Sequence, residues 1–295
     1  MQSLTRQQLG MLIVLTLIWG INWPIMKLGV TGFPPLTFRV LSILLGLPVL
    51  AIAMRVLKMP FLVPRQHWPE LLLLTLTNVL VWHVLIILAL TQLSSGRAAI
   101  LGYTMPIFSA MLGALFFGDR LQPRGWIGVA AAALGVLLLL WHELTNLAGR
   151  PVGVALAVGA AAVWALGTRL LRRTSMPVPT MTLAFWMIAI SGCVIGLLAI
   201  LFERGQWHLP SPANQAAILF NAVLIFGVAQ SVWLLLARGL PPIASTLSVM
   251  FIPVLGVFSG AWWLGEVLHW QDWAAVSLMV VAIASVLLPT RAAHA

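Results

Sequence analysis

The sequence predicts an all-α integral membrane protein of ten transmembrane helices, arranged as two inverted five-helix repeats around a central cavity. Three observations carry this. Hydrophobic residues make up 61% of the 295-residue chain and charged residues only 7%; a water-soluble domain carries about 25%, so there is too little polar surface to cover a globule in water. The apolar residues come in blocks of roughly 20, enough for a helix to cross a bilayer core. And "PIFSAMLGALFFGDRL" at 106–121 returns as "PVLGVFSGAWWLGEVL" at 253–268.

The expected spans, in order, are about 9–29, 35–54, 68–91, 95–117, 123–141, 151–171, 180–202, 213–237, 242–264 and 271–289. The first follows Arg6 and contains Trp19, Asn22 and Pro24 with no small-x-small cleavage site, so it reads as a retained span rather than a signal peptide. Turn chemistry marks the joints: "TGFPP" and "KMPFLVPR" flank the second span, and "DRLQPRG" precedes the fifth. "MPVP", "WHLPSPAN" and "GLPPI" introduce the seventh, eighth and ninth. The blocks are too long for barrel strands, and lipid requires each span to satisfy its own backbone, so they are helices. The connections are short and leave no room for a soluble domain.

The formal charge is +10, but the cations stand singly between apolar blocks. That argues against nucleic acid as a partner. They read instead as loop charges. With the N-terminus in the cytoplasm, eleven cations face inward: Arg6, Arg55, Lys58, Arg65, Arg120, Arg124, Arg169, Arg172, Arg173, Arg238 and Arg291. Five face outward: Lys27, Arg39, Arg97, Arg150 and Arg204. The excess matches the positive-inside rule, with both termini cytoplasmic. Cys193 is the only cysteine and reads as a packing residue.

An offset of 147 residues aligns the halves: Pro106 with Pro253, Gly113 with Gly260, Gly118 with Gly265, Asp119 with Glu266, Leu121 with Leu268 and Trp126 with Trp273. At 145, Trp19 meets Trp164. The units are 1–147 and 148–295. Five spans per unit is odd, so the second enters from the opposite face. Inverted repeats place a binding site near the midplane between halves and support alternating access.

The acids Glu70, Asp119, Glu143, Glu203, Glu266 and Asp272 fall at span ends or in loops. Without a mid-membrane carboxylate, facilitated movement or exchange is expected over carboxylate-based proton coupling. An intramembrane aspartyl protease is excluded on the same ground. "HELTN" at His142 lacks the second histidine of a zinc motif, and no cofactor or metal is implied. Asn78 and His83 lie inside the third span, with Gln230 matching His83 at the 147 offset; polar groups at such depth face an interior. Trp19, Asn22, Trp82 and Trp164 are expected to line a midplane pocket. Pro24, Pro106 and Pro253 are expected to kink their helices. Tyr103 stands one turn before Pro106, and Ser245, Thr246 and Ser248 hold matching depths near Pro253, so their hydroxyls line the path or bridge helices. Lys27 and Arg39 would attract a carboxylate at the outer mouth or snorkel to headgroups. Asp119 and Glu266 are expected to cap the helices that follow them. The four glycines 113, 118, 260 and 265 suit close helix contacts. Trp68, Trp126, Trp141, Trp207, Trp270 and Trp273 suit an aromatic belt.

"LIWGINWPIMKLG" followed by "PPLTFR", with Trp19, Gly20, Asn22, Lys27, Pro35 and Arg39, resembles the opening of EamA-type members of the drug/metabolite transporter superfamily. The stretches "LALTQLSSGRAAILGYTMPIFSAMLGALFFGDRL" and "PPIASTLSVMFIPVLGVFSGAWWLGEVL" are similar to later parts of its repeats. Within the superfamily the chain is most similar to YddG-type exporters of amino acids. The resemblance implies a bacterial inner-membrane exporter of amino acids, aromatic or hydrophobic ones, or of related metabolites, in contact with membrane lipid. A lipid-linked sugar or nucleotide-sugar carrier is the alternative, and a membrane-embedded transferase a more distant one. Two departures stand out: Asp119 replaces the family's frequent glutamate, and Trp186 occupies the place matching Arg39.

Overall fold

The computed structural model describes residues 6–116, 118, 123–145, 151–229, 232 and 242–287. Among them there is helix and no strand. In chain order the rods are α1 (Arg6–Val30), α2 (Pro35–Val56), α3 (Arg65–Gln92), α4 (Ser95–Phe116) and α5 (Pro123–Thr145). The second half follows with α6 (Pro151–Arg173), α7 (Thr180–Glu203), α8 (Pro212–Ala229), α9 (Pro242–Leu264) and α10 (Trp270–Leu287). Seven stretches, in α1–α4 and α6–α8, are long and apolar enough to cross a membrane. Three shorter apolar ones lie in α5, α9 and α10, at Gly125–Leu139, Phe251–Leu264 and Trp270–Ser285.

Proline explains several starts. Helices α2, α5, α6, α8 and α9 each begin on one, where its missing N–H has no intrahelical partner to lose and its fixed φ suits the first turn. Ser211 and Asn214 add a reciprocal capping box to α8. Inside the rods proline behaves less uniformly. Helices α1 and α9 run through Pro24 and Pro253 without a break, as α2 does through Pro48. Helix α4 is interrupted at Tyr103–Thr104, just before Pro106, whose ring has no N–H and crowds the preceding turn. Two further irregularities were not expected. A π-helical turn spans Leu76–Leu80 in α3, and α8 ends in a π-helical stretch, Asn221–Ala229. At the 147-residue offset, 76–80 lands on 223–227, within that stretch.

The strongest packing joins the two halves. Helix α2 lies on α7 and α8, α4 on α6 and α9, α1 on α8 and α9, α3 on α6 and α7, and α5 on α10. Exchanging α1 with α6, α2 with α7, and so on through α5 with α10 returns the same set of contacts. Small residues permit α4 and α9 to cross closely. A side chain at Gly256 would stand 2.8 Å from Ala99, and one at Gly96 would stand 3.1 Å from the Val257 backbone. Gly118 and Gly265 have a different task from the helix contact expected of them. Their φ values are +72° and +65° and nothing approaches within 4 Å, so they turn the chain just beyond α4 and α9. Gly113 is buried within α4, and a side chain at Gly260 would collide with Ser95 and Glu266.

Large apolar side chains are exposed along the outside, among them Leu44, Leu45, Ile52, Leu72, Leu73, Leu201 and Phe202. Such a surface suits lipid rather than water. The six tryptophans assigned to the belt are all exposed. Cys193 is exposed on α7 as well, which corrects its assignment to internal packing.

Candidate functional site

Aromatic rings from both halves meet inside the bundle. Trp82 of α3 and Trp164 of α6 approach with centroids 6.4 Å apart and planes tilted by 55°. Trp23 of α1 meets Tyr103 edge-on at 6.2 Å. Gly102 makes room for them: a side chain there would stand 2.9 Å from the Trp23 ring and 3.3 Å from that of Trp82. Tyr103 is half-buried at the break in α4. Trp19 is half-buried one turn earlier on α1 and packs with Leu15 and Ala229. Trp23 was not singled out from the sequence, because in a chain with fourteen tryptophans composition gives no reason to prefer it.

The polar part of the interior is under-satisfied. Asn22 is buried and its Oδ1 has no partner; His83 Nδ1 is likewise unpartnered, as are Arg39 Nε and Ser191 Oγ. His83 packs its ring against Phe226 of α8 at 5.5 Å. Asn78 is committed elsewhere. Its amide donates to Leu74 O at 3.0 Å in its own helix, at the π-helical turn that packs over Gly167 of α6. Arg39 is fully buried, so neither snorkelling nor an exposed outer mouth describes it. Its Nη1 donates to Asn221 Oδ1 at 3.4 Å and its Nη2 to Met26 Sδ at 3.0 Å. Asn221, an amide deep in an apolar span, was legible by the same argument as Asn78 and was missed. Gln230 lies outside the described residues, as do the side chains of Ser245, Thr246 and Ser248.

One end of the bundle is fastened by carboxylates. Glu203, closing α7, accepts from the Leu36 and Thr37 amides at 2.8 and 2.7 Å and from the Thr37 hydroxyl at 2.7 Å. Glu266 accepts from the Ser95 amide at 2.6 Å and the Gly96 amide at 3.2 Å. It therefore caps α4 across the halves, not the helix that follows it; Asp272 does that, accepting from the His269 amide at 2.9 Å. Asp272 also pairs with Arg97 at 2.7 Å. Lys27 donates to Leu90 O and Leu93 O at 2.7 and 2.8 Å, closing the C-terminus of α3. Its ammonium is thus engaged at a helix end. Asn214 ties the start of α8 to the end of α1 through Leu28 O at 2.9 Å. Together these contacts place the ends of α1, α3, α7 and α9 beside the starts of α2, α4, α8 and α10. Asp119 lies outside the described residues.

At the opposite end Thr182 and Trp186 donate to Pro60 O and Phe61 O, at 2.5 and 2.7 Å. The residue matching Arg39 is thus a clamp on the α2–α3 connection. A cleft of about 600 Å³ opens beside it, lined by Leu62, Val63, Arg65, Trp68 and Trp186. No three His, Cys, Asp or Glu side chains gather as a metal site would require among the described residues.

The structure is thus an apolar helical bundle, interlocked across its halves and holding unsatisfied polar groups among aromatic rings, and its family is one of membrane transporters. The chain belongs to the EamA-like transporter family, whose model matches it twice, at 8–141 and 151–288. It is 28% identical over 280 residues, 95% of this chain and 90% of the other, to the inner membrane transporter YedA of Escherichia coli K12, described as uncharacterized. It is 27% identical over 276 residues, 89% of each chain, to a probable amino-acid metabolite efflux pump of the same strain, and 23% identical over 265 residues, 88% and 89%, to the transporter YoaV of Bacillus subtilis. A solved crystal structure superposes with a TM-score of 0.68 over 98% of both chains at 20% identity, a likeness of fold alone. These are names of transporters, not enzymes.

Proposed function

We propose that the chain exports amino acids, aromatic or hydrophobic ones, or related metabolites across a bacterial inner membrane by alternating access. Seven membrane-length stretches and three shorter apolar ones make ten spans in this reading, with the units 1–147 and 148–295 in inverted orientation. The exchange-symmetric contacts and the shared end of oppositely numbered helices support it. The carrying observation is the interior where the halves meet. Trp82 and Trp164 face each other there, and Asn22 Oδ1 and His83 Nδ1 are buried without partners. Buried polar atoms left unmet are costly, and a bound solute satisfies them. The rings supply flat apolar surface for an aromatic or aliphatic side chain. Relatives named as amino-acid metabolite efflux pumps support the solute class.

Among the described carboxylates, Glu203, Glu266 and Asp272 are occupied at one end of the bundle and Glu70 stands in the first α-helical turn of α3, which favours facilitated movement or exchange over proton coupling. The test is uptake of an amino-acid panel by liposomes holding the purified protein, with and without a pH gradient. Saturable uptake without a gradient is expected. Strict dependence on the gradient would overturn the facilitative mechanism. Flipping of a lipid-linked sugar with no amino-acid uptake would replace the substrate class.

A further inference from the structure

We infer that Arg39 is the fixed counter-charge for a carboxylate on the transported solute, bound inside the bundle and not at its mouth. The inference deepens the proposed function and rests on it for the path by which the anion arrives. Four observations carry it. Arg39 has no exposed surface, and a guanidinium stays protonated in proteins. Among the described residues no carboxylate pairs with it. Its two recorded hydrogen bonds go to a long contact with an amide oxygen and to a thioether, the latter a weak acceptor. Its Nε–H has none.

Such a charge is stable in a low-dielectric interior only with a partner of opposite sign and good geometry. The carboxylates that could serve lie elsewhere. Glu203 is held by the amides of Leu36 and Thr37, one turn before Arg39 on α2, and Asp272 is taken by Arg97. The edge formed by Nε–H and an adjacent Nη–H is the fork that receives a carboxylate through two parallel hydrogen bonds. Here the hydrogen-bond partner on that edge is Met26 alone, a flexible side chain that can move aside. His83 Nδ1 is also buried and unpartnered, and its ring packs on Phe226, five residues along α8 from the Asn221 that meets Arg39. Arg39 therefore carries an incomplete fork in the interior, level with the first turns of α2 beneath the Glu203 cap, where one anionic group would complete it.

The test uses two probes of equal shape, 3-phenylpropionate and 3-phenylpropionamide. Binding to the purified full chain is read by quenching of its tryptophan fluorescence. Wild type is expected to hold the acid at least tenfold more tightly than the amide, about one factor of ten being 1.4 kcal/mol. Arg39→Gln is expected to erase the preference, and Arg39→Lys to keep part of it, since lysine supplies charge without the fork. Equal binding of acid and amide by wild type, binding of neither at millimolar concentration, or an unchanged preference in Arg39→Gln would each overturn the assignment. If Arg39→Gln does not fold, the wild-type comparison decides. Selective acid binding with no amino-acid uptake by liposomes would defeat the transport reading and leave the site standing. Uptake without selectivity would do the reverse.

Discussion

Gly167 shows how little freedom a single residue has at this interface. A methyl group there would lie 2.6 Å from the Thr77 backbone and 2.8 Å from Asn78 Cγ, and backbone cannot swing aside as a side chain can. Gly167→Val is expected to cost about 1–3 kcal/mol, the range for overpacking, read as a lower thermal midpoint in detergent. His83 faces the opposite situation, with Nδ1 unmet inside the bundle, and Trp164 pairs with Trp82 across the halves. His83→Ala and Trp164→Ala should each reduce transport several-fold at unchanged folded yield, and normal uptake in both would remove them from the pathway. Trp82 and Trp164 touch across the halves, so their double-mutant cycle on transport should show a coupling of about 0.5–1.5 kcal/mol.

At the scale of the helix, the informative features are the ends and the interruptions. The first amides of a helix lack intrahelical acceptors and carry partial positive charge. Glu203 meets two of them at α2, and Glu266 meets two at α4. Each acid stands on the other half of the chain from the helix it caps. Glu203→Gln should lower stability by about 1–2 kcal/mol, from the loss of a charge at a partly buried helix start; an unchanged midpoint would show the cap to be dispensable. The symmetry-related positions repeat only one of these charges, Glu266 as Asp119, which lies outside the described residues. The 147-residue offset carries Glu203 to Val56, Arg97 to Ala244 and Asp272 to Gly125. Among the described residues the two ends of the bundle are fastened by different chemistry: carboxylates at one, and hydroxyl, indole and guanidinium donors to carbonyls at the other. The π-helical stretches in α3 and α8 do repeat across the halves. Each flanks the interior polar residues Asn78, His83 and Asn221, where a widened turn re-aims side chains, as such turns do at functional sites.

For the whole molecule, the reading requires the two ends to lie on opposite sides of the membrane. In a Cys193→Ser background, Arg55→Cys at the end of α2 should react with a membrane-impermeant maleimide from the cytoplasmic side, and Arg204→Cys, just past the equivalent end of α7, only from the other. Labelling of both from one side would end the inverted arrangement. Much of this architecture was legible beforehand because hydropathy, turn residues and a fixed offset are properties of the chain in one dimension. Lipid as solvent follows from composition, helix from the need to satisfy backbone within each block, and duplication from Pro106 and Pro253 in the same frame. The interior was legible only in part. Trp82, Trp164, Asn22 and His83 could be marked as polar or aromatic groups at depth, but depth alone does not say what a side chain meets. Arg39 is set between Met26 and Asn221, the latter 182 residues away, and Glu203 and Glu266 reach helix starts 166 to 171 residues distant. The sequence by itself determined a duplicated, helical, membrane-embedded chain. Only the tertiary structure decided which charges are spent as caps and which one is buried without an anion, because those outcomes depend on contacts between halves that no local pattern encodes.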